Sequence, residues 1–473
     1  MGCVKTVQAS VLACALLASC ATRRYQPAPI NAGTSASTFE SRSLAHPGLQ
    51  AYMERVLGHP IVPWPPQTWD LKSLSLAALY FNPTLDTARA RLEEAQAAVV
   101  TAGARPNPTI SVAPGIPSPY LLTLDLAFPI ETAGKRGHRV QFARSINEAA
   151  QFDLADSAWN VRSAVRVALL KYLLASRSLA VIHAEEQVRT DTVTLLEQRF
   201  SVGEIPRPEV DLSQISLSQT RLAISAAEGQ LGEAKAELAA SVGIPVAGLQ
   251  GFDFSLPDMD TPPSSESLSL PEIRRNAVLN RLDVRRTLAQ YAAAEADLEL
   301  EIAKQYPDVQ LGPGYTYEER NSFFTIGFST TLPIFNRNQG PIAEAEARRK
   351  ELAATFLATQ ARVIAQSETA LARYEAARKE LSEANESLSR LQAVQEQMTR
   401  RAVGIGQVDR LELNGVLLQG VVAARSRLDA LGRAQTALGE LEDAIQRPLT
   451  GGDMIPPTPD SPLFQQLEKG SKP

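Results

Sequence analysis

Side chains that most often do chemistry are sparse in this 473-residue chain. The four histidines, His46, His59, His138 and His183, stand at no ligand spacing. His138 also sits beside Lys135, Arg136 and Arg139, a poor place for a cation. No metal site and no cofactor is expected. Residues 133–137, AGKRG, contain a Gly-Lys pair but lack the spacing and the Ser/Thr of a phosphate loop. Their charges suit snorkelling side chains at a membrane surface. No nucleophile–base set or carboxylate pair stands out, so catalysis is not expected.

The cysteines say more. Lys5 precedes an apolar run from Val11 to Ala18, too short to span a bilayer and shaped like a secretory signal. Its end, Leu17-Ala18-Ser19-Cys20, resembles the lipobox of bacterial lipoproteins, which implies cleavage before Cys20 and lipid on its thiol. An ordinary signal peptide with an incidental cysteine is the plainer alternative. Cys3 and Cys14 lie in the removed segment, so the mature chain keeps Cys20 alone and can form no internal disulfide. Ala21 rather than an aspartate after Cys20 favours outer-membrane sorting. The net charge of −5 and the absence of a Lys/Arg-rich block argue against a nucleic-acid partner.

The elements that would position any site are written twice. Pro108 and Pro307 are 199 positions apart, Pro129 and Pro333 are 204 apart, and Val202-Gly203 and Val403-Gly404 are 201 apart. Each half opens with a helix, Leu74 to Thr101 and Pro271 to Lys304, stopped by proline. Two short strands follow. Leu122, Leu124, Leu126 and Phe128 alternate with Thr123, Asp125 and Ala127, and Phe324, Ile326 and Phe328 alternate with Thr325, Gly327 and Ser329. The partner strands carry Ile110 and Val112, and Val309 and Leu311. A half-buried hairpin on a soluble core would alternate in this way, but so would a membrane barrel, apolar to lipid and polar to lumen. Four strands cannot close a barrel, so a barrel would have to be shared between chains.

Pro129 and Pro333 are expected to end strand pairing, and Gly137 and Gly340 to permit the turn into a helix. Arg139 to Val202 and Ile342 to Val403 contain neither Gly nor Pro, long enough for helices of roughly 90 Å. Leu371, Tyr374, Leu381, Ala384, Leu388, Leu391 and Met398 make a coiled-coil-like seam. Aromatics are only 6% and alanine is abundant, which suits helices packed closely through small side chains. Gly203 and Gly404 are expected to supply the positive φ of a helix end, with returning helices from about Glu209 and Val408.

At ARPNPTISV, PIETAGKRGHRV and PIFNRNQGPIAEAEA the chain resembles the outer-membrane efflux protein family, the TolC-like channels, and within it the CzcC-type heavy-metal branch. The resemblance spans roughly residues 70–447. It implies a mainly α fold with a small β part: a duplicated helix–β-hairpin–long helical hairpin. Three chains would form a twelve-stranded outer-membrane barrel above a periplasmic α-helical tunnel. It further implies a homotrimer working with a periplasmic adaptor and an inner-membrane pump of RND type, in contact with outer-membrane lipid.

Val202, Gly203, Val403 and Gly404 match the tips that meet the adaptor. Glu209 stands six residues after Gly203, an acid where the family has an acid. Arg410 stands in the equivalent place after Gly404, and Gly406 replaces a basic gating residue. Asp409 and Glu412 are nearby substitutes. Glu204, Glu209 and Asp211, repeated round a trimer, could make acidic rings that favour cations, or be an ordinary charged helix start. Asp125 would face the lumen, where it could tune ion passage or simply be solvated.

The expected organisation is a signal peptide at 1–19, a lipid-anchored extended strap at 20–69, and a first repeat at 70–243 with strands about 108–130 and a long helix about 138–202. A linker at 244–269 leads to a second repeat at 270–447, with strands about 307–333 and a long helix about 341–403, and a tail at 448–473. The functional expectation is a passive duct, for divalent heavy-metal cations by branch resemblance, with drugs or other small molecules as alternative cargo. A lipid-anchored periplasmic coiled-coil protein without a channel is the second reading.

Overall fold

A computed structural model of the chain describes residues 24–115, 121–264, 269–449, 464–465 and 468. Cys20, residues 1–19 and nearly all of the 448–473 tail lie outside the described residues. The chain divides into two units, Met1–Arg42 and Ser43–Pro473. The smaller unit holds helix α1 (Ala32–Glu40), capped by the Asn31 side chain, which accepts from Gly33 N at 2.9 Å and Thr34 N at 3.2 Å.

The larger unit begins with α2 (Pro47–Leu57), which has proline in its first turn and ends at Gly58 in the left-handed region, φ 75°. It buries Leu49, Tyr52 and Met53. The expectation of an extended strap over 20–69 is therefore corrected: local caps and an apolar helix face make two helices within it.

Next come β1 (Thr68–Trp69), α3 (Leu71–Phe81), α4 (Pro83–Ala102), β2 (Thr109–Pro114), β3 (Leu121–Ile130), α5 (Lys135–Ser201) and α6 (Arg207–Val242). The second half holds β4 (Asp253–Phe254), α7 (Leu270–Asn280), α8 (Leu282–Ala303), β5 (Val309–Glu318), β6 (Asn321–Thr330), α9 (Gln339–Glu383), α10 (Arg390–Gly404) and α11 (Arg410–Ile445). A π-helical segment, Ala384–Ser389, joins α9 to α10.

Each opening helix expected from the sequence is in fact two. Pro83 cannot continue α3, and Asn82 caps α4 by accepting from Thr84 N at 3.0 Å. The second break has no local signal. There Arg281 is extended, and Gln446 Oε1, at the far end of α11, accepts from Leu282 N at 2.6 Å.

The core is mostly Leu and Ala. One cluster joins α3, α4, α5 and the end of α6, and a second joins α7, α9 and the end of α11. Parallel pairing of β1 with β4 ties the segment before α3 to the linker between halves, with Trp69 fully buried. Among the described residues no helix is long and apolar enough to cross a membrane, which says nothing of the strands.

A buried ionic cluster locks α5 to α11. Arg162 Nη2 donates to Glu442 Oε2 at 2.9 Å, both side chains 0% exposed, and Arg166 Nε lies 3.4 Å from the same oxygen. The Glu442 Oε1 also accepts from Leu449 N at 2.9 Å. A β-carbon on Gly439 would stand 2.3 Å from Arg166 Nη1, so any side chain there would push the guanidinium out of its place. Beside this cluster Asp443 accepts from Trp159 Nε1 at 3.0 Å and from Ser163 Oγ. Burial pushes the Asp443 carboxyl above its usual range.

The two neighbouring acids should respond oppositely to neutral isosteres. Glu442→Gln leaves two buried guanidinium groups without their carboxylate and should cost about 3–5 kcal/mol of stability at pH 7. Asp443→Asn keeps an acceptor for Trp159 and Ser163 and removes a buried charge, so it should be neutral or stabilising there. A raised folded-state pKa gives wild type a contribution present at low pH and lost as pH rises through that value. Wild-type stability relative to Asp443→Asn should therefore fall with rising pH, which denaturant titrations across pH 4–8 would measure. Equal costs for the two variants would contradict this account.

Candidate functional site

The candidate residues fall at the sheet, at the junction below it and at the helix tips. The sheet runs β2-β3-β5-β6, antiparallel throughout. Its register puts Ile110, Val112, Leu124, Leu126, Phe128, Leu311 and Phe324 on one face, with Ile326 opposite Pro313. Phe324, Ile326 and Phe328 are 83%, 84% and 78% exposed. Among the described residues no helix covers that face as a soluble core would, which disfavours the half-buried hairpin. The other face carries Ser111, Asp125, Gly314 and Thr325 in a row.

At the junction each strand hands over to a helix through left-handed backbone. Ala133 and Gly134 have φ 54° and 71°, and Asn338 has φ 65°. Gly137 and Gly340, expected to make these turns, lie instead inside the first turns of α5 and α9, which start earlier than the sequence suggested. Asn substitutes for Gly in the second turn because its short polar side chain tolerates that region; its Nδ2 donates to Glu301 O at 2.7 Å. Pro129 does not end its strand. It lies two residues past the last β2 pair, at Ala127, and remains in register with Gln310 of β5. It thus occupies a stretch where one neighbour has already stopped. Pro333 falls three residues beyond β6.

Charged side chains bind this junction together. Buried Lys135 donates to Tyr306 O at 2.6 Å and Asp308 Oδ1 at 2.7 Å. Arg136 Nε donates to Gly103 O at 2.6 Å, Arg139 pairs with Glu131, and His138 Nδ1 shares a hydrogen bond with Glu299 at 3.0 Å. The AGKRGH stretch is thus a structural clasp between α5 and the chain entering β5.

The tips correct the alignment of the halves. At the first, Val202 has φ −98° and ψ 5°, Gly203 has φ 79°, Gly203 N bonds Phe200 O and Glu204 N bonds Arg199 O. At the second, the same geometry belongs to Ile405, φ −102° and ψ 7°, and to Gly406, φ 74°, with Gly406 N bonding Val403 O and Gln407 N bonding Ala402 O. Val403 and Gly404 are still helical. The structural offset is therefore 203, not 201, and α6 and α11 have the same length of 36 residues.

With that shift VGEIPRPEV aligns with IGQVDRLEL. Arg410 matches Arg207 and Glu412 matches Glu209, each acid in the first turn of its helix. The reading of Arg410 in the place of an acid, and of Gly406 as a lost basic residue, is overturned: Gly406 makes the turn. The signal was present in the sequence, but the identical Val-Gly pairs hid it.

Arg199 joins the tips by pairing with Asp409, the residue before α11, and lies 4.0 Å from Glu204. Asn414 Nδ2 donates to Thr192 Oγ1 at 3.0 Å, holding α11 against α5 nearby. Glu209, Arg410 and Glu412 are exposed, with no ion-pair partner among the described residues. Val202 and Ile405 are both 70% exposed.

The sequence matches the family described as outer membrane efflux protein over residues 74–244 and 273–445. The chain belongs to that family. It is similar to the cobalt-zinc-cadmium resistance protein CzcC of Cupriavidus metallidurans, 26% identical over 277 residues. That match covers 58% of this chain and 65% of CzcC, just under two thirds of its length. A second relative is the pyoverdine export outer membrane protein OpmQ of Pseudomonas aeruginosa, 25% identical over 73% of this chain and 77% of OpmQ.

Among solved structures, VceC of Vibrio cholerae superposes with a TM-score of 0.64 at 20% identity, over 80% of this chain and 97% of VceC. CusC does so with a TM-score of 0.63 at 17% identity, over 90% and 99%. The fold is thus that of the TolC-like outer-membrane channels, and the sequence match to CzcC sets the chain with the CzcC-type branch.

The revised tip alignment predicts contrasting glycine substitutions. Gly406→Ala forces a side chain into left-handed backbone and should destabilise the tip by about 1–2 kcal/mol. Gly404→Ala replaces a helical glycine and should stabilise it by up to about 1 kcal/mol. Amide hydrogen exchange at residues 398–412 would read both, and the reverse order would restore the 201 offset.

Proposed function

We propose that three copies of this chain form the outer-membrane duct of a tripartite exporter, conducting divalent heavy-metal cations passively outward. The observation that carries the reading is the four-stranded sheet, with an exposed apolar face and two unpaired edges, β2 and β6. Unpaired backbone groups in lipid cost several kcal/mol each, so edge must meet edge between copies. The helices support the same closure. In one chain α6 packs on α5, α5 on α11 and α11 on α10, leaving α6 and α10 as flanks. Both flanks present apolar side chains to solvent, Leu212, Ile215 and Leu222 on one and Leu391, Val394 and Met398 on the other. A head-to-tail contact of β6 with β2 and of α10 with α6 closes into a ring, and three copies give twelve strands.

Cys20 would carry the lipid anchor at the outer membrane. The tips at Val202–Gly203 and Val403–Gly406 would meet a periplasmic adaptor, behind which an RND-type inner-membrane pump supplies the energy. Glu204, Glu209, Asp409, Arg410 and Glu412 are the charges available to close or line the tip. The metal cargo rests on likeness to CzcC. Likeness to OpmQ supports a second cargo class, larger organic molecules, through the same duct.

Leu124→Arg and Ile326→Arg, on the apolar face, should each cost the barrel about 2–4 kcal/mol near the membrane midplane. Loss of trimer on semi-native gels and of membrane association would follow. Unchanged assembly in both variants would leave a solvated periplasmic coiled-coil protein as the better reading. A deletion strain should become sensitive to cobalt, zinc or cadmium and recover with a plasmid copy; sensitivity only to hydrophobic drugs would keep the duct and discard the metal cargo.

A further inference from the structure

The face of the sheet opposite the apolar one carries a feature that neither the fold nor the tips require. Ser111, Asp125, Gly314 and Thr325 stand in one row across β2, β3, β5 and β6. Strand side chains alternate, so all four project to the same side. A β-carbon built on Gly314 would stand 2.6 Å from Asp125 Oδ1 and 2.6 Å from Thr325 Oγ1. The carboxylate and the hydroxyl therefore lean over the glycine from both sides, into space that any side chain at 314 would occupy. Two residues along, Gly312 faces Gly327 and keeps that side open. Asp125 has no ion-pair partner among the described residues, and on this face of the strands the other acid, Glu318, sits at the β5–β6 turn.

We infer that Asp125 is the charge-selecting residue of the barrel lumen, a site for hydrated cations, with Gly314 leaving the space that its carboxylate enters. The inference rests on the duct reading. If the apolar face meets lipid, this row faces the lumen about halfway along the strands, and three copies make a ring of three carboxylates. Such a ring enriches cations and repels anions. Oxygen ligands alone hold soft or borderline divalent ions weakly, which suits transit rather than storage. The energy scales with ionic charge, so a divalent cation feels roughly the square of the preference that a monovalent one does.

The test is the purified full-length trimer in planar bilayers. Reversal potentials in a KCl gradient should show wild type preferring K+ to Cl−. Asp125→Asn should lower that permeability ratio roughly fivefold, less at high salt. Block by CdCl2 added on the barrel side should weaken by the larger factor expected for a divalent ion. Gly314→Ala should fall between, and Asp125→Glu should restore most of the wild-type ratio. An unchanged ratio in Asp125→Asn, or an anion-selective wild type, would overturn the assignment while leaving the duct intact. A wild-type trimer with no conductance would overturn the duct reading and the ring with it.

Discussion

Backbone hydrogen bonding in lipid is the constraint on which the rest depends. An N–H or C=O that water cannot reach must be paired by the protein, and a four-stranded sheet leaves two whole edges unpaired. One chain leaves both edges unpaired, and in the proposed trimer another copy would complete them. The demand fixes the other features of the strands. In the proposed barrel their largely alternating pattern gives one face that would suit hydrocarbon and one that would suit a wet interior. The face opposite the apolar one carries glycine and small polar residues, where Ser111, Gly312, Gly314 and Gly327 leave room.

Below the sheet the solvent changes, and so does the method of holding the chain. Strand pairing gives way to helix packing within a few residues, at left-handed turns clasped by Lys135, Asp308 and Asn338. Further down, the α5–α11 contact is fixed by two arginines on one fully buried carboxylate, Glu442. Such a cluster adds little net stability over an apolar packing but tolerates only one register. In helices so rich in alanine, where one turn looks much like the next, a register lock has an evident use.

The halves are alike in plan and unlike in firmness. In the first, α5 runs unbroken for 67 residues and buries side chains as far as Val193. In the second, the same course is split by the π segment, after which α10 buries no residue. A π turn leaves a gap in the packing of the next turn, and such turns often mark places where a helix bends. Arg427, which bonds Asn385 through Nε at 2.6 Å, pins the segment to α11.

Periodicity, proline and internal repetition were enough for the sequence to reveal a duplicated strand-pair and helical-hairpin plan and the alternating faces. These are local properties, and each residue's neighbours along the chain carry them. Tertiary structure alone decided the features set by residues distant in sequence. Arg281 ends a helix because Gln446, 165 positions away, caps the next one. Ala133 and Asn338, rather than Gly137 and Gly340, take the left-handed turns because the clasp to Tyr306, Asp308 and Glu301 fixes where each helix starts. The second tip is different: it turns at Gly406 through local hydrogen bonds from 406 to 403 and 407 to 402, and the matching IGQVDRLEL stood in the sequence behind the more obvious Val-Gly pair. Identity of the Val-Gly pairs pointed to Gly404; hydrogen-bond geometry put the turn two residues on, at Gly406.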